Sequence, residues 1–306
     1  MSETFKIKKG KTEDLKSFLV QRKTDKGDPY TNTSLYDKKS EQGWAGCFKV
    51  DDADLDTFFK LYHKAVFVNQ EIFHLTEKHE KTGPILFDID LRYSNTDLRI
   101  YTLETINQLL EKILIEVEKY LIINNDQQRY AFVFEKSKPS RYNEKLMKDG
   151  IHIMFPYLVT VPEIQYMIRN ALLVSCLDIF SSLSVSNSID DIIDESVIYR
   201  NCWQLYGSCK PGCESYKLTN IIKVEPNSDN PFISIDLNTY NNEQLVSLLS
   251  IRNKLVPTSL VEETSQLIDQ YNQNNKTKKI KEVQITTSIN KRKRKGKKNT
   301  TNENIE

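Results

Sequence analysis

No run of 18 apolar residues occurs in this 306-residue chain, so no bilayer-spanning helix is expected. Its opening stretch, MSETFKIKKGKTEDL, has no apolar core of the kind a secretory signal needs, so none is expected. Cysteine is scarce and odd in number: Cys47, Cys176, Cys202, Cys209 and Cys213, at scattered spacings. That argues against a disulfide framework and for a reducing compartment. Cys209 and Cys213 could be half a zinc site, but no second pair at metal-ligand spacing follows. A G-x-S-x-G elbow and a positioned Cys–His pair are both missing, so no protein nucleophile is in view. A G-x-x-x-x-G-K-[ST] phosphate loop is missing too, which leaves no ATPase motor within these residues.

Net charge is also nearly absent, at +1, but this hides an asymmetry. Residues 276–306 hold 11 Lys and Arg against 3 Asp and Glu, while the rest of the chain holds 32 against 39. An acidic body with a basic tail is not a protein that coats nucleic acid over its whole surface. A polyanion must find a local patch, the tail, or metal ions held by carboxylates.

What is present is a mixed pattern of helices and strands, with 39% hydrophobic residues to bury. Residues 52–66 carry Leu55, Phe58, Phe59, Tyr62 and Val66 on one helical stripe. Residues 102–121 repeat this with Ile106, Leu109, Ile113, Val117 and Tyr120. Strands are expected at 85–90, 130–136, 150–159 and 232–237, with shorter strand-like pieces in IIDESVIYR and CWQLYGS. Pro162 suits the first turn of a helix running to about 182, and 183–191 reads as a loop. Further helical segments fall near 242–251 and 258–270. From 272 onward too little apolar surface remains to fold, so a disordered tail or linker is expected. The expected class is α+β, mixed α/β, in three parts: 1–80, a core at 81–271, and the tail at 272–306.

The stretch KTGPILFDIDLRYSN runs an apolar strand into Asp88 and Asp90. Residues two apart on a strand point to the same side, so the two carboxylates stand together. Crowded carboxylates repel and raise each other's pKa unless a cation lies between them. Hard oxygen ligands suit Mg²⁺ or Mn²⁺, and such ions usually serve phosphates. D-x-D is short, and a solvated strand end explains it equally well. In KLMKDGIHIMFP, His152 alternates with Ile151 and Ile153 and so faces away from them. A core histidine is one reading. A triphosphate cradle of Lys148, the close backbone of Gly150 and neutral His152 is the other. In IIDESVIYRNCWQLYGSCKPG, Asp194 follows two isoleucines, and Arg200 and Lys210 add positive charge. Here the alternatives are a third acid or a plain helix cap with a solvated arginine. Gly207, Pro211 and Gly212 mark tight loops.

The order D-x-D, G-x-H, then a late aspartate resembles the archaeo-eukaryotic primase superfamily. GPILFDIDLRY, KDGIHIMFP and WQLYGSCKP are similar to the primase module of primase-helicases of large nucleocytoplasmic DNA viruses, the pox-type, asfarvirus and mimivirus group related to primase-polymerases. FKVDDADLDTFFKLYHKAV resembles their N-terminal region, and the likeness spans roughly 44–220. It implies a primase-like core with an RRM-like sheet. It also implies that Asp88, Asp90 and Asp194 are catalytic acids holding two Mg²⁺ or Mn²⁺ ions. His152 would contact the phosphates of an incoming NTP or dNTP, with Lys148, Gly150, Arg200 and Lys210 around them. Two departures are visible: Gln204 stands where cellular relatives carry arginine, and Gly150 where they tend to have serine.

The implied reaction is primer synthesis on a single-stranded DNA template, with two metals about 3.5–4 Å apart serving an in-line attack. A helicase would follow in the same chain or complex. The basic run Lys291, Arg292, Lys293, Arg294, Lys295, Lys297 and Lys298 would touch nucleic acid or act as a nuclear-import signal. The implied location is intracellular, in a host cytoplasmic virus factory or nucleus, with no membrane partner. Two other functions remain open: a catalytically weak DNA-binding or helicase-recruiting module, and another D-x-D nucleotidyl- or glycosyltransferase.

Overall fold

A computed structural model describes residues 14–39, 42–94 and 97–275. Two units are distinguished, Met1–Ser259 and Leu260–Glu306.

The first unit begins with α1 (Leu15–Gln21), started by the Asp14 side chain accepting from Ser17 N. Then come β1 (Lys23–Thr24), β2 (Asn32–Asp37), β3 (Gln42–Phe48), α2 (Leu55–His63) and β4 (Leu75–Glu77). Next are β5 (Gly83–Ser94), α3 (Leu103–Val117), β6 (Tyr130–Glu135), β7 (Ser140–Arg141) and β8 (Leu146–Thr160). The helices α4 (Pro162–Ser175), α5 (Leu177–Ser181) and α6 (Ile189–Ile192) follow, then β9 (Trp203–Gln204), β10 (Lys217–Val224), β11 (Phe232–Ile235) and α7 (Asn242–Leu248). The fold is α+β with two antiparallel sheets. One has the order β1-β3-β2-β4-β9, and the other β11-β10-β6-β8-β5 with β7 on β8.

In β5 the sequence pattern explains the position of the site. Residues 84–87 are buried, and beyond them burial alternates: Ile89, Leu91 and Tyr93 are buried, Asp88, Asp90 and Arg92 only partly. One face of the strand therefore stays in the core while the other opens toward its end. On β8, Ile151 and Ile153 are buried while Lys148 and His152 are partly exposed. Away from the open end, Phe134 and Met154 join a buried cluster with Trp203, Leu245, Leu249 and Ile251. A second cluster is built by Phe18, Phe48, Phe58, Tyr62 and Leu75 around the first sheet.

The helical stripe at 52–66 forms, but as a 3₁₀ turn (Asp52–Asp54), α2, then a π turn (Lys64–Val68). The expected helix from Pro162 breaks at Cys176 into α4 and α5. IIDESVIYR is not a strand. It ends α6 and makes a 3₁₀ turn (Glu195–Val197), with Ile193 bridging Ile89. Asp194 causes this locally, because its side chain accepts from Ser196 N and starts the turn. The strand at 217–224 was not foreseen, nor were the short strands β1 to β4. In the second unit, 264–275 is helical, beyond the expected end at 270 and across the expected start of the tail at 272. The basic run from Lys291 to Lys298 lies outside the described residues.

Candidate active site

β5 and β8 pair so that Asp88 stands opposite His152, Asp90 opposite Gly150, and Arg92 opposite Lys148. Equal parity puts Asp88, Asp90, Lys148 and His152 on one face of the sheet. Lys148 Nζ donates to Asp90 Oδ2 at 2.8 Å. His152 Nε2 lies 3.5 Å from Asp88 Oδ1, too far for a good hydrogen bond. That oxygen is buried with no hydrogen-bond partner. Burial first, then the Asp90 charge, pushes the Asp88 carboxyl up to about 7; Asp194 adds to this, while Lys148 and Lys210 oppose it.

The His152 ring is clamped. It stacks on Tyr216 with centroids 3.6 Å apart, and Trp203 lies against it at 4.7 Å. Loss of solvent, then the charges of Lys210, Lys136 and Lys148, lowers its pKa to about 3. The imidazole is neutral at physiological pH. A small open pocket beside it is lined by Phe134, Trp203, Gln204, Tyr206 and Tyr216.

Asp194 arrives from another element. The segment 186–194 covers the outer edge of β5, where the sheet would otherwise end with unpaired backbone groups. Ser186 N donates to Arg92 O at 2.6 Å and Asp194 N to Asp88 O at 3.0 Å. Asn187 Nδ2 donates to Asp90 O, and Arg92 N to Asn187 Oδ1, both at 2.9 Å. Arg169, buried on α4, fixes this segment. Its Nε reaches Ile193 O at 2.9 Å, its Nη2 Asp190 O at 2.7 Å, and its Nη1 Asp190 Oδ1 at 2.8 Å. The Asp194 carboxylate itself accepts from Ser196 N at 2.8 Å and Ser196 Oγ at 2.7 Å.

Among the described residues, no three His, Cys, Asp or Glu side chains are gathered to hold a metal ion. The donor set still fits a hard cation. Asp88 keeps an orphaned, buried oxygen, its proton is held unusually tightly, and a second carboxylate shares its face. A divalent ion would supply the charge that burial makes these acids lack. The zinc alternative is not preformed. Cys209 Sγ is 3.7 Å from His74 Nδ1, but among the described residues no third ligand completes that pair, and all five cysteines are free thiols.

Lys210 acts electrostatically on both Asp88 and His152. Arg200 is exposed and, among the described residues, makes no ion pair; the structure does not bring it into the cluster. Gly150 is buried, and its N–H donates to Asp149 Oδ1 at 3.0 Å, so it is not a free phosphate donor. Its missing side chain matters for another reason: a Cβ there would lie 2.6 Å from the Tyr216 hydroxyl. Gly207 and Gly212 turn with φ of +89° and +70°, as tight loops need. Sequence reasoning missed Trp203, Tyr216, Arg169 and Lys136. Lys136 had a faint signal, a cation directly after the buried strand YAFVFE, but the others had none.

Residues 37–222 match the family described as the C962R protein N-terminal AEP domain. The match covers more than half of the chain and every member of the cluster. The chain belongs to this family. It is thus a domain of the archaeo-eukaryotic primase superfamily, and the matched span agrees with the resemblance read over roughly 44–220. The AEP domain is also 29% identical over 206 residues to "Putative helicase L207/L206" of Acanthamoeba polyphaga mimivirus. That alignment takes in 66% of this chain and 21% of the relative, so the chain spans about a fifth of that protein's length.

Proposed function

We propose that this AEP domain is the primase or primase-polymerase module of a viral-type primase-helicase, making primers on single-stranded DNA. The observation that carries the reading is the Asp88–Asp90 pair: half-buried carboxylates on one strand face, one with an orphaned oxygen and a raised pKa, opposite a neutral histidine. Mg²⁺ or Mn²⁺ held by Asp88 and Asp90, with Asp194 as third acid, would lower the pKa of a primer 3′-hydroxyl and neutralise departing pyrophosphate. Neutral His152 is suited to donate a hydrogen bond to a phosphate oxygen of the NTP or dNTP. Lys148 and Lys210 offset the negative charge that the nucleotide brings. The Asp190–Ile193 anchor on Arg169 keeps Asp194 beside Asp88.

The partners follow from the same reading: a DNA template, nucleotides, and a helicase in the same chain or complex, supported by the name of the mimivirus relative. Free thiols suit a reducing compartment, a virus factory in the host cytoplasm or the nucleus. The test is Mn²⁺-dependent incorporation of labelled nucleotide on single-stranded DNA. Wild type should extend or prime, and the Asp88→Ala/Asp90→Ala double variant should do neither while remaining folded. Near wild-type synthesis by that variant would reject the assignment, and turnover of a sugar nucleotide instead would favour a transferase. One observation favours a second reading, a weakly catalytic DNA-binding or helicase-recruiting module. The Asp194 carboxylate is already satisfied by Ser196 within its own turn.

A further inference from the structure

Tyr216 stacks one ring face on His152 at 3.6 Å, and the Lys136 ammonium lies over the same ring, 4.9 Å from its centroid. An imidazole at stacking distance leaves no space on its side, so the ammonium takes the other. Lys136 is held there from below. Arg99 Nη2 donates to Lys136 O at 2.7 Å, its Nη1 to Glu135 Oε1 at 2.7 Å, and its Nε to Asp149 Oδ2 at 2.8 Å. Tyr101 and Thr219 hydroxyls also donate to Glu135, at 2.9 and 2.6 Å. The end of β6 is thereby tied to β8 next to Gly150, and the lysine stem leaves from a rigid point.

The charge balance around His152 is uneven. Lys136, Lys148 and Lys210 all bear on it electrostatically. Lys148 is matched by Asp90. Among the described residues, neither Lys136 nor Lys210 has an ion-pair partner. Lys136 is partly buried and Lys210 exposed; two unmatched cations beside a carboxylate pair call for an anion with several charges, and a single carboxylate would leave one of them unmet. The polyphosphate chain of a nucleotide meets both.

We propose that Lys136 is a polyphosphate-binding residue, carried on Tyr216 and completing with Lys148, His152 and Lys210 the cradle for the phosphate chain of the incoming nucleotide. This rests on the nucleotidyl-transfer reading and adds to it a residue and a platform. Tyr216 is a positioning residue: it spaces the ammonium from the imidazole so that the two bind different phosphate oxygens.

Equilibrium binding of dATP, inorganic tripolyphosphate and a single-stranded DNA oligonucleotide tests it, with wild type, Lys136→Met, Lys136→Arg and His152→Ala. Exposed Lys217→Met is the control. Lys136→Met should weaken dATP and tripolyphosphate about tenfold, the scale of one charge-assisted hydrogen bond. Lys136→Arg should restore most of it, and DNA affinity should stay within twofold. The proposal is overturned if Lys136→Met loses DNA affinity but not tripolyphosphate affinity, which would make Lys136 a template contact. Unchanged binding of all three ligands would also overturn it. If His152→Ala weakens dATP while Lys136→Met does not, the inference falls and the nucleotidyl-transfer reading stands. If wild type binds neither nucleotide nor tripolyphosphate, both fall.

Discussion

Asp88→Asn should stabilise the metal-free protein above neutral pH and do nothing near pH 3. The carboxyl rises from 3.8 to about 7 on folding, because burial and Asp90 disfavour its charged form. Well below pH 3.8 the folded and unfolded chains both hold the proton, and the group contributes nothing. Between about 4 and 7 the unfolded chain gives up its proton while the folded one retains it, so stability falls as pH rises. Above 7 the whole penalty is present. At 1.36 kcal/mol per pH unit this is at most roughly 4 kcal/mol, with the repulsion of Asp90 and the opposing pull of Lys148 already contained in the shift. Asparagine keeps the shape and removes the charge. Thermal unfolding in EDTA should then show the variant more stable by roughly 5 °C or more at pH 8, at 2–4 °C per kcal/mol for a domain of this class. At pH 3 the curves should nearly coincide. Adding Mg²⁺ at pH 8 should raise the wild-type melting temperature; a site filled to 100 times its dissociation constant contributes about 2.7 kcal/mol. Asp88→Asn should lose most of that response. A variant less stable than wild type at pH 8 in EDTA would refute the claim that Asp88 is a desolvated, charge-starved acid.

Arg169→Leu removes the buried guanidinium that holds Ile193 O and Asp190 O and should cost about 3–5 kcal/mol, read as a lower denaturation midpoint. Arg169→Lys, with one ammonium in place of the fork, should recover part of the stability but less of the nucleotide incorporation, because Asp194 is then held loosely. His152→Ala should weaken nucleotide binding more than single-stranded DNA binding, measured separately by titration; an unfolded variant would instead make His152 a packing residue. Removing residues 276–306 should flatten the salt dependence of DNA binding. Four or five phosphate contacts predict a log–log slope near −3, at about −0.7 each, so an unchanged slope would move the DNA groove onto the body.

The residues that form the centre of the cluster were legible because strand geometry is local. Asp88 beside Asp90, and His152 turned away from Ile151 and Ile153, follow from a period of two that any strand must obey. The charge asymmetry, the absence of a phosphate loop and the order of the three motifs are likewise properties of the linear chain. They were enough to indicate the α+β class and the primase superfamily. The stretch around Asp194 misled for the same reason. IIDESVIYR has strand-like apolar content, yet the Asp194–Ser196 bond and the Arg169 fork make it a turn, and only α4 supplies that arginine. Register across the sheet was beyond sequence reading altogether. Nothing in β5 or β8 alone says that Asp88 will face His152 rather than a residue one position away, which would point to the other side of the sheet. The Trp203–His152–Tyr216 stack, with Lys136 over its tyrosine, draws on β9, β8, the stretch before β10 and the end of β6. Local sequence sets which way each side chain points. Which side chains then meet, and so the pKa of Asp88 and the neutrality of His152, was decided by strand pairing and burial, which exist only once the chain has folded.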